Sequence, residues 1–136
     1  MTVLSSICLI DDDNIYQYYS KSLILTSGKA EKVLQFFDGQ EALEFLTQHQ
    51  HEAGLLPELI LLDLEMPYMD GWQFLDQFSQ LQLAKEVTLY IASSSTSMID
   101  QDRAKKYPQV KGYMIKPMRA EQFVEIINSV TNTPEA

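Results

Sequence analysis

Acidic side chains follow two of the apolar runs in this 136-residue chain. Asp11, Asp12 and Asp13 come directly after one run, and Asp63 comes directly after another. Carboxylates held close together raise one another's pKa, and a hard divalent cation such as Mg²⁺ relieves that repulsion because it prefers oxygen ligands. An aspartate beside such a cation can act as a nucleophile toward a phosphoryl group and form an aspartyl-phosphate.

Hydrogen-bond donors follow two further apolar runs: Ser93 comes directly after one, and Lys116 directly after the other. Charge on phosphoryl oxygens needs such donors, and a hydroxyl and an ammonium group are suitable. Together with the carboxylates, this hydroxyl and this ammonium group provide the side chains needed for phosphoryl transfer onto an aspartate. Less specific interpretations are a surface turn for Asp63 and a helix N-cap for Asp11–Asp13.

The elements that must bring these side chains together are predicted by five short apolar runs, separated by stretches with helical spacing. Two of the runs are continuous rather than alternating, which is typical of strands buried on both faces of a parallel sheet. The alternation predicts five strand–helix units with helices on both faces of the sheet. The strand ends then meet at one edge, where ligands bind. The runs are Ile7–Ile10, Val33–Phe37, Leu59–Leu62, Val87–Ala92 and Tyr113–Ile115.

Helix limits are predicted from capping residues and apolar spacing. Gly28 is expected to end the first helix and Asp38 to cap the second. A short fourth helix with a weak apolar face is expected between Ser97 and Lys106. The apolar residues expected to mark helices are Ile15, Tyr19 and Leu23 in the first, Ala42, Phe45, Leu46 and His49 in the second, Phe74, Phe78 and Leu81 in the third, and Phe123, Ile126, Ile127 and Val130 in the last.

Composition indicates one globular domain. Hydrophobic residues make up 46% and charged residues 21% of the chain, which is ordinary for a folded protein. The net charge of -9 disfavours non-specific nucleic-acid binding, which depends on contacts to phosphate. No run is long enough to span a membrane and no signal pattern is present, so we expect a cytoplasmic protein without a membrane partner. The lone Cys8 excludes an internal disulfide.

The chain resembles a response-regulator receiver domain of the CheY-like type, over about residues 5–130. The resemblance implies a doubly wound α/β fold, flavodoxin- or CheY-like, with a five-stranded parallel sheet in the order 2-1-3-4-5. We expect a single receiver domain over residues 1–136, with a tail at 131–136 and no attached output domain. The resemblance rests on LIDDD at 9–13, LLDLEMPYMDG at 61–71, ASS at 92–94 and KGYMIKP at 111–117.

The resemblance also implies a magnesium-dependent phosphorylation site. Asp63 corresponds to the phosphoryl acceptor, and Asp11 and Asp12 to the acidic pair that holds Mg²⁺. The remaining metal ligands would be Asp63 itself and the backbone carbonyl of Glu65. Many family members have another residue in place of Glu65, so the lifetime of the phosphoryl group stays open.

The resemblance assigns the remaining site residues to contact and switching roles. Ser93 and Lys116 correspond to the residues that contact the phosphoryl group, although threonine is more frequent at the first position. Ser93 and Tyr113 correspond to the switch pair, although a tyrosine near a strand end is often simply part of the core. The Lys116–Pro117 peptide bond is expected to be cis, as is usual in the family.

The function implied is a signalling switch rather than an enzyme, with self-catalysed phosphoryl transfer and autodephosphorylation only. A sensor histidine kinase or a histidine phosphotransfer protein would donate the phosphoryl group. The output would be phosphorelay or binding of a downstream protein by the fourth helix, fifth strand and fifth helix. Basic residues on that face favour an acidic partner, although simple solvation explains them equally well. They are Arg103, Lys105, Lys106, Lys111 and Arg119.

Three other functions fit parts of the pattern. A phosphohydrolase of the haloacid-dehalogenase type also uses an aspartate nucleophile and Mg²⁺, but it needs a second aspartate where this chain has Glu65. A flavodoxin-like cofactor binder would need a phosphate-binding loop where this chain has Asp11–Asp13. A receiver-like module could also bind partners without phosphorylation.

Other residues with chemical potential have structural interpretations. His49 and His51 lack a third metal ligand and are expected at a solvated helix end. Gly71 is expected to supply a permissive turn, and Trp72 to pack against the core. Cys8 is expected to be a small buried hydrophobe.

Overall fold

A computed structural model describes residues 3–131 of the chain. Strands and helices alternate along the sequence, with a short 3-10 turn at Ala53–Leu55 before the third strand. The alternation predicted from the sequence is therefore confirmed. The elements are β1 (Leu4–Ile10), α1 (Asn14–Ser27), β2 (Ala30–Phe36), α2 (Gly39–Gln48), β3 (Leu59–Leu62), α3 (Gly71–Phe78), β4 (Thr88–Ser93), α4 (Met98–Ala104), β5 (Val110–Ile115) and α5 (Ala120–Thr131).

The five strands form one parallel sheet in the order β2-β1-β3-β4-β5. This is the predicted order, in which the chain first moves to one side of β1 and then returns to the other. The reversal places β1 and β3 side by side, with Ile10 opposite Leu62. The residues that follow these two strands are thereby neighbours at one edge of the sheet.

Two apolar clusters cover the two faces of the sheet. All four residues of β3 are buried, and they alternate between the clusters. Ile60 and Leu62 belong to the cluster that includes α2 and α3, and Leu59 and Leu61 to the one that includes α5. This arrangement explains why the sequence of β3 is continuously apolar.

Helix α1 ends as predicted, but its buried residues differ from the predicted apolar ones. Gly28 stops the helix in the left-handed conformation, with φ of 71°. Ile15, however, is 82% exposed and Tyr19 is 39% exposed, so the prediction was wrong for these two residues, whereas Leu23 packs against the cluster that includes α5. The buried residues are Gln17, Ser20 and Ile24.

Gln17 explains why the apolar spacing of α1 was misleading. Its side-chain amide lies 3.0–3.2 Å from the backbone carbonyl oxygens of Leu9, Asp11 and Phe36, at the ends of β1 and β2. A buried amide is tolerated when it is hydrogen-bonded in this way. The helix therefore packs partly through polar contacts, which a count of apolar residues does not detect.

The other helix predictions were correct in position and inexact in length. Asp38 caps α2 by accepting a hydrogen bond from the Glu41 amide. Helix α3 ends at Phe78, so Leu81 lies beyond it. Helix α4 buries only Ala104, in agreement with its weak apolar face. Of the expected tail at residues 131–136, positions 132–136 lie outside the described residues.

No helix within residues 3–131 is long and apolar enough to cross a membrane.

Candidate functional site

Four strand ends bring the predicted site residues to one edge of the sheet. Asp11 follows β1, Asp63 follows β3, Ser93 is the last residue of β4, and Lys116 follows β5. Backbone hydrogen bonds fix the alignment: the Asp63 amide donates to the Ile10 carbonyl and the Lys116 amide to the Ser93 carbonyl, each at 2.9 Å. The predicted convergence of these residues is thus present in the structure.

Three carboxylates form a compact acidic group at this edge. One oxygen from each of Asp11, Asp12 and Asp63 lies within 4.8 Å of the others. Asp11 and Asp63 are buried, and Asp12 is exposed. Asp13 instead caps α1, where its side chain accepts from the amides of Ile15 and Tyr16. The acidic run therefore divides between a cluster and a helix cap.

Lys116 is the cation of the site. Its Nζ donates to Asp11 Oδ2 at 2.7 Å and lies 3.5 Å from Asp63 Oδ1. The lysine side chain is only 12% exposed. It also lies over the ring of Tyr16, with Nζ 4.6 Å from the ring centroid. The ammonium group therefore lies between the ring of Tyr16 on α1 and the carboxylates of Asp11 and Asp63, which follow β1 and β3.

The two buried carboxylates are held in an unfavourable environment for charge. Burial and the charge of Asp11 raise the pKa of Asp63 to about 7, against the opposing effect of Lys116. Burial also raises the pKa of Asp11, although its bond to Lys116 acts in the other direction. Burial lowers the pKa of Lys116, but the hydrogen bond and charge of Asp11 outweigh it and the net shift is upward.

Burial is the main cause of the raised pKa of Asp11 and Asp63, and the charge of a neighbouring carboxylate adds to it. One ammonium group faces three carboxylates, and all of the clustered side-chain donors are oxygens. Mg²⁺ binds through one or two carboxylates and keeps several waters, so this donor set fits a hard divalent cation. The residues that could hold one are Asp11, Asp12 and Asp63.

Glu65 lies on the loop that follows Asp63. Its side chain is exposed, whereas its backbone forms a hydrogen bond to the Asp63 carboxyl that lowers the pKa of that group. The loop continues through Tyr68, which has a φ of 67° and is fully exposed. The side chain of Glu65 is therefore directed away from the buried part of the site.

The loop after β3 is held close to the site by Gly71. A Cβ at this position would lie 2.7 Å from the Asp63 carbonyl oxygen and 2.8 Å from the Leu64 Cα. The expectation of a permissive turn was wrong, because glycine is needed here for close packing of backbone on backbone. The start of α3 is thereby fixed against the segment that carries Asp63.

Ser93 and Tyr113 are linked through one intermediate residue. The Ser93 side chain is buried, and its Oγ accepts a hydrogen bond from the Ser95 amide at 3.1 Å. The half-buried Tyr113 donates its hydroxyl to the Ser95 carbonyl at 2.9 Å. The Ser95 hydroxyl in turn donates to Asp100 of α4 at 2.6 Å. Ser95 thus links Ser93, Tyr113 and Asp100.

The Lys116–Pro117 peptide bond is cis, as the resemblance implied.

The basic residues around α4, β5 and α5 make different contacts. Arg103 lies over the ring of Trp72, 4.5 Å from its centroid. Lys105 pairs with Asp102 at 3.8 Å, and Arg119 lies 3.6 Å from Glu121. Lys106 and Lys111 are exposed. Part of the positive charge on this face is therefore already offset by neighbouring acids.

The histidines and the cysteine are outside the site. His49 is half-buried, packs on the Phe45 ring and lies 2.9 Å from Glu52, so it is less solvated than predicted. His51 is exposed as expected. Cys8 is fully buried, and burial raises the pKa of its thiol. Trp72 is buried in the core as predicted.

The structure thus combines a five-stranded parallel α/β sheet with an acidic cluster and a lysine at its carboxyl edge. Residues 7–128 match the family described as the response regulator receiver domain. The chain therefore belongs to the receiver-domain family of two-component response regulators.

Relatives and solved structures agree with this assignment. The chain is 28% identical to the chemotaxis protein CheY of Bacillus subtilis, over 93% of this chain and 97% of that protein. A two-component response regulator from Cytophaga hutchinsonii superposes with a TM-score of 0.86 at 28% identity, covering 96% of this chain and 99% of that one. The receiver domain of the sensor histidine kinase PA1611 from Pseudomonas aeruginosa has the same fold, with a TM-score of 0.78 at 16% identity and coverage of 95% and 98%.

Proposed function

We propose that this chain accepts a phosphoryl group on Asp63 in a magnesium-dependent reaction and thereby switches a protein–protein interaction or relays phosphate. The observation that carries the proposal is the position of Asp63. Its buried carboxylate lies 3.5 Å from the Lys116 ammonium and beside two further acids. A buried carboxylate with a raised pKa in such a cluster is typical of a functional group rather than of a stabilising one.

The transfer itself needs little covalent chemistry from the protein. A carboxylate oxygen of Asp63 attacks phosphorus while the bond from phosphorus to the donor breaks, and the leaving group keeps the electron pair. The donor would be a phosphohistidine on a sensor histidine kinase or on a histidine phosphotransfer protein. Lys116 and Ser93 would donate hydrogen bonds to the phosphoryl oxygens, whose negative charge they stabilise.

Asp11, Asp12, Asp63 and the backbone carbonyl of Glu65 would hold Mg²⁺. The ion would neutralise the acidic cluster and lower the repulsion between Asp63 and an approaching phosphoryl group. Magnesium coordinated in the active-site cleft of the PA1611 receiver domain supports this choice of ion. Autodephosphorylation by water would end the signal, so the protein acts as a switch with self-catalysed chemistry.

The switch would pass through the loop between β4 and α4. If the Ser93 side chain turned to donate its hydroxyl to a phosphoryl oxygen, this rotation would disturb the hydrogen bond that its Oγ now accepts from the Ser95 amide. Since Ser95 also holds the Tyr113 hydroxyl and Asp100, a shift of Ser93 would alter the face formed by α4, β5 and α5. That face would bind an unidentified downstream protein in the cytoplasm.

The test is the intact mass of the protein after incubation with Mg²⁺ and acetyl phosphate. We expect a gain of one phosphoryl group that a chelator abolishes. Asp63→Asn should lose this gain, whereas Asp102→Asn should keep it, because Asp102 is an exposed residue of α4 outside the site. The absence of any gain in folded wild-type protein, with a donor active on another receiver, would favour a binding module that works without phosphorylation.

A further inference from the structure

The ammonium group of Lys116 has an aromatic neighbour that the proposed chemistry does not use. Its Nζ is bonded to Asp11 at 2.7 Å and lies 3.5 Å from Asp63. It also lies 4.6 Å from the centroid of the Tyr16 ring, in cation–π contact. One wall of the lysine's environment is therefore uncharged and comes from α1.

Tyr16 is fixed in place by its position in the first turn of α1. The Asp13 cap accepts a hydrogen bond from the Tyr16 amide at 3.0 Å. The Tyr16 ring lies 6.1 Å from that of Tyr19, centroid to centroid. Tyr19 donates its hydroxyl to the Met118 carbonyl at 2.8 Å. A ring contact within α1 and a hydrogen bond from Tyr19 thus connect Tyr16 with the loop on which Lys116 lies.

The ring of Tyr16, rather than its hydroxyl, makes the contact with Lys116. The hydroxyl oxygen is buried and makes no hydrogen bond of normal geometry among residues 3–131, although polar contacts with Ser20 and the Met118 backbone oppose the rise in its pKa that burial causes. A buried hydroxyl whose partners are poorly aligned contributes little stabilisation, so it does not explain the contact with Lys116. A contact between a cation and a ring face is favourable and is strengthened when the cation is removed from water.

We propose that Tyr16 is a positioning residue for Lys116, whose ring holds the ammonium group within reach of both Asp11 and a phosphoryl group on Asp63. This proposal rests on the proposed function of Asp63. The attraction of a ring face for a cation is spread over the face, unlike a bond to a carboxylate lone pair. The ammonium group can therefore turn from Asp11 toward Asp63 without losing this contact.

The test compares two substitutions of the same side chain. Tyr16→Leu removes the ring, and Tyr16→Phe keeps the ring while removing the hydroxyl. We expect Tyr16→Leu to slow magnesium-dependent phosphorylation by acetyl phosphate about threefold to tenfold, and Tyr16→Phe to stay within about twofold of wild type. Phe45→Leu is the matched control, because it removes a half-buried ring of α2 that packs on Phe36, outside the site.

A second measurement reports the position of Lys116 without any phosphorylation. The ring current of Tyr16 shifts the NMR signals of the methylene protons next to the Lys116 ammonium group. We expect those signals to move in Tyr16→Leu and to stay near their wild-type positions in Tyr16→Phe and Phe45→Leu. If wild type gains no phosphoryl group, the proposed function fails, and unmoved signals in Tyr16→Leu would still overturn the contact between the Tyr16 ring and Lys116.

Three results would overturn the proposal. The first is an unchanged rate with unmoved Lys116 signals in Tyr16→Leu. The second is a Tyr16→Phe variant as slow as Tyr16→Leu, which would assign the effect to the hydroxyl. The third is an equal loss of rate in Phe45→Leu at an equal loss of unfolding free energy, which would assign it to general destabilisation.

Discussion

At the scale of the single residue, Asp63 opposes the stability of the metal-free protein. Its carboxyl is buried beside Asp11, and its pKa is raised to about 7 from a usual value of 3.8. Folding therefore requires either a proton on this group or an unfavourable buried charge. Residues that bind a ligand or react often lower the stability of the folded protein, because function and not stability determines their side chains.

Removal of that charge should stabilise the metal-free protein in a pH-dependent way. Between about pH 4 and pH 7 the folded state binds more protons at Asp63 than the unfolded state, so its contribution to stability falls as pH rises. We expect Asp63→Asn to raise the unfolding free energy at pH 8 by roughly 1–2 kcal/mol, allowing for partial solvent screening, and to have little effect near pH 4. Urea unfolding at the two pH values in a chelating buffer measures this.

Asp102→Asn is the control for that comparison, because the aspartate it replaces is exposed and forms only a surface pair with Lys105. It should change the unfolding free energy by a few tenths of a kcal/mol at most, at either pH. A loss of stability in Asp63→Asn at pH 8 would mean that Lys116 stabilises the charged carboxylate more than burial disfavours it.

At the scale of the elements, Gly71 couples the start of α3 to the segment that carries Asp63. We expect Gly71→Ala to lower the unfolding free energy by about 1–3 kcal/mol, because its Cβ would lie within 3 Å of backbone atoms that cannot move independently. Displacement of Asp63 should slow phosphorylation as well. Chemical unfolding together with the mass assay measures both effects.

Gly54→Ala is the matched control for the glycine prediction. Gly54 lies in the exposed 3-10 turn before β3, and a Cβ there would meet nothing within 4 Å. It should leave stability and phosphorylation nearly unchanged. If both alanine variants behave like wild type, then α3 can move away from Asp63 without cost and the close packing has no role in placing it.

The elements also show how far the sequence could predict this structure. Strand order and the cis bond before Pro117 followed from the family resemblance, and the meeting of Asp11, Asp63, Ser93 and Lys116 followed from their places at the ends of apolar runs. The apolar face of α1 did not, because α1 packs through the amide of Gln17 rather than through Ile15. A pattern of hydrophobic residues does not predict that a polar side chain will be buried because it donates hydrogen bonds to backbone carbonyl oxygens.

The contacts that connect the site residues also could not be predicted from the sequence. Ser95 is one of five consecutive small polar residues, and nothing in that run distinguishes it from its neighbours. Tyr16 is one of three tyrosines in the first two turns of α1, and only its orientation places it over Lys116. Motifs predicted which residues react, whereas side-chain directions determine which residues support them.

At the scale of the whole molecule, the charge of the chain favours cation binding at the site. The protein has 19 acidic and 10 basic residues and a net charge of -9. A negative molecule raises the local concentration of cations, most strongly where carboxylates are clustered. The Asp11, Asp12 and Asp63 cluster is therefore the point at which a divalent cation should most affect global stability.

Magnesium should stabilise the protein against heat, and more so at pH 8 than at pH 5. Ligand binding to the folded state raises the melting temperature, and protons compete with the cation for carboxylates whose pKa is raised, as it is for Asp63 and Asp11. Each kcal/mol of added stability corresponds to roughly 4 °C in a chain of this size. Thermal unfolding with Mg²⁺, and with NaCl at equal ionic strength, measures the effect.

Variants identify where the cation acts in that experiment. Asp12→Asn should reduce the stabilisation by Mg²⁺, because it removes a clustered carboxylate that makes no bond to Lys116. Asp102→Asn, with the same change of charge on α4, should retain it. An equal gain from NaCl, or an equal loss in both variants, would show that general screening of the -9 charge accounts for the effect. A loss confined to Asp12→Asn would show that binding at one cluster of the sheet edge stabilises the whole fold.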